Sequence, residues 1–298
     1  MASLTELSNE LAAAVERGGM SVVRVEGRRA PSSGVVWSAE GVVLAAHHAL
    51  EWDEGIEVGL PNGSTVPATL VGRDPTTDLA ALRISAGGLV APSWADSASA
   101  RVGQLVLALS RPGRTVRASL GILSVKGEAW RTPAGGRLEH YLQTDVGRHV
   151  GFSGGLLLAA DGQALGLTTA GLIRGAMMAV PAPTLLRVAS ALLAHGQVRR
   201  GFLGIGTYPV RLPAGLEREA GQATALLVVS VEPESPASRA GLTLGDVLLS
   251  FDSHALRHPT DLLPLLEAER IGAEVGARIA RGGEARDVRI TIGARDKP

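Results

Sequence analysis

The chain contains no cysteine in its 298 residues. Disulfides, thiolate zinc sites and a cysteine nucleophile are therefore excluded, while the redox compartment stays open. No apolar run reaches the ~18–20 residues that cross a bilayer, which excludes a membrane-spanning helix. Aromatics are few, with four Trp, two Tyr and three Phe, so the core must be built from Val, Leu, Ile and Ala. Net charge is zero, 29 Lys+Arg against 29 Asp+Glu, and no basic block stands out. That balance argues against nucleic acid as a partner. The first residues lack a basic start and an apolar stretch and carry Glu6, Glu10 and Glu16 instead. A signal peptide needs the opposite pattern, so the chain as written reads as cytoplasmic, or as exported and periplasmic if a leader has been trimmed. What is abundant is glycine: 38 residues, about twice the usual share, which implies many tight turns.

The length fits about two domains of ~150 residues each. Residues 1–19 read as a helical segment, with Leu4, Leu7, Leu11 and Val15 on one face and Gly18-Gly19 at its end. From 20 to about 180 the pattern is of short β-type runs broken by glycine and Pro-Asn-Gly, among them SVVRVEG, GVVLAA, DLAALRIS and QALGLTTA. Strands this short and regular predict antiparallel barrels or a sandwich. Residues 182–196 form an amphipathic helix that closes a domain over 20–197. After a polar hinge, residues 198–298 predict a small α+β module with strands near 202–207, 224–231 and 246–252 and two more to 292. Its helices are expected near 236–240 and 260–269.

The string Gly151-Phe152-Ser153-Gly154-Gly155 carries the chemistry. Glycines around a serine allow a backbone that exposes Oγ and turns successive N–H groups toward one point, as a nucleophile with an oxyanion hole requires. His48 follows a buried strand and Asp78 begins another, completing the set in which Asp orients His and His deprotonates Ser. An α/β-hydrolase elbow would need a helix directly after the serine and its acid and histidine later in the chain. Here GGLLLAADGQALGLTTAG follows, which is strand, turn, strand.

Residues 20–292 resemble the HtrA/Deg family of trypsin-like serine proteases with one C-terminal PDZ domain. The strings HHALEWDEGIEV, LVGRDPTTDLAALRI, SLGILS, LQTDVGRHVGFSGG, RGFLGI and SPASRAGLTLGDVLLSFD carry the likeness. It implies a mostly β fold: a chymotrypsin-like double six-stranded barrel, then a small α+β PDZ domain. It also implies His48 as general base and acid, Asp78 as its orienter, Ser153 as nucleophile and the N–H groups of Gly151 and Ser153 as oxyanion hole. Of the adjacent pair His47 and His48, the family spacing counted back from Ile56 selects His48.

The substrate pocket implied by the resemblance has Gly147 as its floor, with Phe152, Thr168, Met177 and Met178 around it. The strand 165–170 and a loop over 175–181 would form its walls. No charge sits at Gly147, so cleavage after small or medium apolar residues such as Val, Ala or Leu is expected. Phe202-Leu203-Gly204-Ile205 resembles the carboxylate-binding loop of a PDZ domain, which would take peptide C-termini as an added strand.

The implied activity is ATP-independent cleavage of unfolded proteins in quality control, with no cofactor and no metal. Departures from the family string at Val150, Phe152 and Leu156 leave an alternative: a weak or inactive homologue that acts as a peptide-binding or chaperone scaffold. The family's homo-trimer is possible, although its N-terminal aromatic contacts have no counterpart before Trp37.

Overall fold

A computed structural model describes residues 3–27 and 30–294. The chain divides into two compact units, between Val198 and Arg199.

In the first unit, helix α1 (Leu4–Gly19) opens on a capping box between Ser3 and Glu6. These reciprocal bonds satisfy two otherwise orphaned backbone N–H groups. Leu11 and Val15 pack on the core, as their spacing predicts. Leu4 does not: it is 83% exposed, because the first turn runs past the surface on which the helix docks. At the other end Gly18 lies so close to barrel side chains that a Cβ would sit 2.6 Å from Leu158 Cδ1.

Six strands then close the first barrel: β1 (Val22–Glu26), β2 (Ser32–Ser38), β3 (Val42–Ala46), β4 (Ile56–Gly59), β5 (Thr65–Asp74) and β6 (Leu79–Ile84), in spatial order β1-β2-β3-β6-β5-β4. The alternation of strands separates two sets of side chains. Val23, Val43, Ala45, Val58 and Leu82 fill the barrel. Val35, Leu44, Leu79 and Ala81 face outward into the cluster shared with the second barrel.

That second barrel consists of β7 (Leu105–Ser110), β8 (Arg117–Gly127), β11 (Tyr141–Thr144), β12 (Leu156–Ala159), β13 (Ala164–Thr169) and β14 (Met177–Pro181). It closes in the order β11-β14-β13-β12-β7-β8, with a short ladder of β9 (Trp130–Arg131) and β10 (Arg137–Leu138) beside it. Helix α2 (Ala182–His195) stops at Gly196, whose φ of +70° is the left-handed cap that glycine accepts at least cost. The segment 175–181, expected as a loop, is strand from Met177 onward. Its unbroken apolar run is what a strand buried on both faces requires.

The second unit contains β15 (Gly201–Phe202), β16 (Ile205–Arg211), α3 (Ala214–Ala220), β17 (Thr224–Val231), α4 (Pro236–Arg239), β18 (Val247–Phe251), β19 (His254–Ala255), β20 (Glu274–Arg281), β21 (Glu284–Thr291) and β22 (Gly293–Ala294). Its main sheet runs β16-β17-β18-β20-β21 over a core that includes Leu226, Leu248, Phe251, Ile279 and Ile290. The helix expected near 260–269 is absent. Three 3-10 turns, Pro259–Asp261, Leu263–Leu266 and Ala268–Arg270, take its place. Pro264 is the physical cause: it lacks an N–H and its ring collides with the preceding turn of a longer α-helix. The short helix α3 has no buried residue, which is why no hydrophobic stripe announced it.

Candidate active site

Strands β3 and β6 pair antiparallel with Ala46 opposite Leu79, so the residues just beyond these ends are neighbours. Past Ala46 the chain makes one 3-10 turn, His47–Ala49. Before Leu79, Asp78 stands at φ 59°, a left-handed conformation in which Asp is enriched relative to bulky residues. The preceding turn supports it: Asp74 Oδ1 accepts the N–H (3.2 Å) and hydroxyl (2.6 Å) of Thr76, and Oδ2 accepts the Thr77 hydroxyl at 2.6 Å.

Asp78 is buried and His48 is about one-third exposed. Asp78 Oδ1 accepts the His48 backbone N–H at 2.9 Å and Oδ2 lies 2.7 Å from His48 Nδ1. An Nδ1–H donated to this carboxylate leaves Nε2 as the free acceptor. The Thr169 hydroxyl also donates to Asp78 Oδ2. Gly171 closes over the pair: a Cβ there would lie 2.6 Å from both Asp78 Oδ2 and His48 Nδ1.

His47 has a different partner. Its Nδ1 lies 3.4 Å from Arg73 Nη1. Arg73 also donates to the carbonyls of Leu50 and Trp52, each at 2.6 Å. Burial, and then the Arg73 charge, lower the His47 pKa below its ordinary value.

Ser153 sits in the loop between β11 and β12. Gly151 (φ 85°) and Gly154 (φ 83°) adopt backbone that disfavours any side chain, and a Cβ on Gly154 would come 2.0 Å from Ser33 O. The Phe152 N–H donates to His149 O at 3.2 Å, closing the turn that presents the serine. Among the described residues, neither the Gly151 nor the Ser153 N–H donates to another group of the chain. Ser153 Oγ accepts the Ala170 N–H at 3.3 Å, and no hydrogen bond joins it to His48 among the described residues.

The loop is anchored by residues that motif reading missed. The Ser33 N–H donates to Ser153 O at 3.3 Å, and the Ser33 hydroxyl donates to Gly151 O at 2.7 Å. The same hydroxyl accepts the Arg111 N–H at 2.8 Å. Arg111 caps the arrangement with its buried guanidinium on the carbonyls of Gly19 and Val22, each at 2.7 Å. Ser33, Thr169 and Gly171 lie far from the GxSGG string, and only strand pairing brings them together. The serine in SSGVV is the sole local hint.

The residues expected around the pocket do not all share one face. Phe152 and Met177 belong to the buried cluster inside the second barrel, with Val146 and Leu142. Met178 points the other way and packs in the cluster of Leu44 and Leu79, so it is core and not pocket. Thr168 is buried, and its hydroxyl donates to Phe152 O at 2.5 Å. Gly147 is exposed, with His149 Nε2 2.8 Å from where a Gly147 Cβ would be.

In the second unit Phe202 pairs with Gly293, and Leu203 is buried in the sheet core. Gly204 has φ 78°, and a Cβ there would meet Ser235 Cβ at 2.2 Å. Among the described residues the N–H groups of Leu203 and Gly204 donate to nothing else in the chain.

This geometry agrees with independent similarities. The trypsin-like peptidase domain matches residues 32–167 and the PDZ domain matches residues 201–292. The solved structure of the HtrA-type protease AlgW with tripeptide is 31% identical, with a TM-score of 0.74 over 97% of this chain and 98% of that one. The chain belongs to the HtrA-type serine protease family. A second solved neighbour, the serine endoprotease from Yersinia pestis, is 29% identical with a TM-score of 0.76, covering 96% of this chain and 98% of that one. A probable periplasmic serine endoprotease, DegP-like, from Halomonas elongata is 33% identical over 278 residues. Its counterpart from Pseudomonas putida is 34% identical over 272. The alignments cover 90% and 88% of this chain but only 57% and 55% of those relatives. The fold is thus mostly β, with two closed six-stranded barrels followed by a PDZ domain.

Proposed function

We propose that this HtrA-type chain is a serine endopeptidase acting on unfolded polypeptides. The observation that carries the reading is the Asp78–His48 pair beside a glycine-framed Ser153 with two uncommitted backbone N–H groups. Asp78 holds the imidazole with Nε2 free. Ser153 Oγ, turning from the Ala170 N–H toward Nε2, gives up its proton there as it attacks the scissile carbonyl. The N–H groups of Gly151 and Ser153 receive the oxyanion. Protonated His48 then returns the proton to the leaving amine, and water repeats the sequence on the acyl-enzyme to release Ser153. No metal or cofactor enters these steps.

The free N–H groups of Leu203 and Gly204 support the further reading that the PDZ domain receives peptide C-termini. A homo-trimer stays part of the proposal, to be read by light scattering. For the compartment, the likeness to probable periplasmic endoproteases favours the exported, periplasmic alternative over the cytoplasmic one. No finding favours the inactive scaffold.

Incubation of wild type and Ser153→Ala with unfolded casein tests the activity. Degradation by wild type alone supports it, and equal loss of substrate in both, or in neither, rejects it.

A further inference from the structure

The segments that should form a pocket for the residue before the scissile bond, P1, are filled by the chain's own side chains. Phe152 is 3% exposed and Met177 2%, in one buried cluster with Val146 (4%). Phe152 enters from the nucleophile loop, and its carbonyl is tied down by the Thr168 hydroxyl at 2.5 Å and the Gly155 N–H at 3.1 Å. Met177 enters from β14, where it lies opposite Thr144 of β11 and accepts that hydroxyl on its carbonyl at 3.4 Å. On the solvent side the imidazole of His149 lies over Gly147, with its ring centroid 5.3 Å from that of Phe152. The side of the nucleophile loop and the side of β14 are thus each filled by a buried side chain.

Resting on the endopeptidase reading, we propose that Phe152 and Met177 determine specificity by filling this pocket, so that only Gly, Ala or Ser is accepted at P1. A branched Val or Leu side chain would have to displace a packed ring or thioether. Close-packed interiors resist added volume, and the surrounding strands belong to a closed barrel that cannot splay. Ala at P1 needs no more room than the space beside Ser153. This narrows the expected range, from which the medium-sized apolar residues drop out. Of the two fillers, Met177 is the adaptable one, since its unbranched thioether has several rotamers. Phe152 is held by backbone bonds on both sides.

The test uses the full chain and two kinds of active-site reagent. A plain fluorophosphonate reports the nucleophile whatever the pocket holds. Peptidyl phosphonates of identical sequence, with Ala or Leu at P1, report the pocket. Wild type should react with the plain reagent and with the Ala reagent, and about 100-fold more slowly with the Leu reagent, the scale on which pocket size discriminates. Met177→Ala and the milder Met177→Val should raise the ratio of the Leu rate to the Ala rate at least tenfold, each rate normalised to plain labelling of the same variant. Plain labelling with equal Ala and Leu rates in wild type would overturn the filled pocket and leave the endopeptidase reading intact. Unchanged preference in both Met177 variants, with folding confirmed by their melting curves, would also overturn it. Failure of the plain reagent would remove the endopeptidase reading and this inference with it.

Discussion

Asp78 grips His48 twice, through the backbone N–H at 2.9 Å and through Nδ1 at 2.7 Å. A carboxylate can only accept, so this pairing selects the imidazole tautomer whose Nε2 is free for the serine. Asp78→Asn presents an amide that can donate to Nδ1 and so stabilise the wrong tautomer. We expect kcat on a peptide ester to fall by about 10⁴-fold, with the chain still folded. A fall of less than tenfold would show that the pair does not carry the reaction.

Gly171 gives a second, purely steric handle on the same pair. A methyl group there arrives 2.6 Å from both Asp78 Oδ2 and His48 Nδ1, so one of them must move. Gly171→Ala should cost about 100-fold in kcat, the scale of an ångström-level misplacement. Because the site lies in a surface loop and not in the core, the melting temperature should change by only a few degrees. Retention of full activity would mean that the loop yields and the pair does not.

Ser33 links the oxyanion loop to the buried Arg111 backbone. Ser33→Ala leaves the Gly151 carbonyl and the Arg111 N–H without this partner, a stability cost of about 1–3 kcal/mol for buried groups. The expected kinetic signature is a kcat lowered by 10- to 100-fold with little change in KM, because the loop holds the oxyanion and not the substrate chain. An unchanged kcat in a destabilised variant would reduce Ser33 to a purely structural role.

His47 makes the fold sensitive to acid. Burial and Arg73 lower its pKa below the ordinary 6.5, so the folded chain prefers the neutral ring. As pH falls through about 6.5, the unfolded chain takes up this proton more readily than the folded one, and stability declines. His47→Gln removes that contribution. Melting temperatures recorded from pH 8 to pH 5 should therefore converge or cross, with wild type losing more on acidification. Parallel curves would refute the linkage.

Much of this was legible in the sequence. The short apolar runs announced antiparallel barrels or a sandwich, the family resemblance implied the double barrel, and the Leu11–Val15 spacing with Gly18-Gly19 announced α1. His48, Asp78 and Ser153 stood out because glycine frames and strand ends mark chemistry locally. The rest depended on contacts between distant segments. Ser33 reaches Gly151 across 118 positions and Thr169 reaches Asp78 across 91, separations that no local pattern encodes. Met177 and Met178 looked like a pair until β14 placed them on opposite faces. The spacing over 260–269 reads as a helix, and the missing N–H and ring of Pro264 turn it into three tight turns.

Barrel closure bears on self-association. Under the proposed activity on unfolded polypeptides the protein meets many extended segments, and any open strand edge of its own is a template for unwanted pairing. The two barrels of the first unit have no such edge. The main sheet of the second unit ends in β16 and β21, and both ends are blunted. Pro209 lies within β16 and cannot donate, and β21 carries Glu284, Arg286, Asp287 and Arg289. On the main sheet of the second unit, the stretch left for an added strand is therefore the few residues of β16 before Pro209, directly after the Phe202–Ile205 loop. Capture of a strand on that sheet becomes a local event that stops at Pro209.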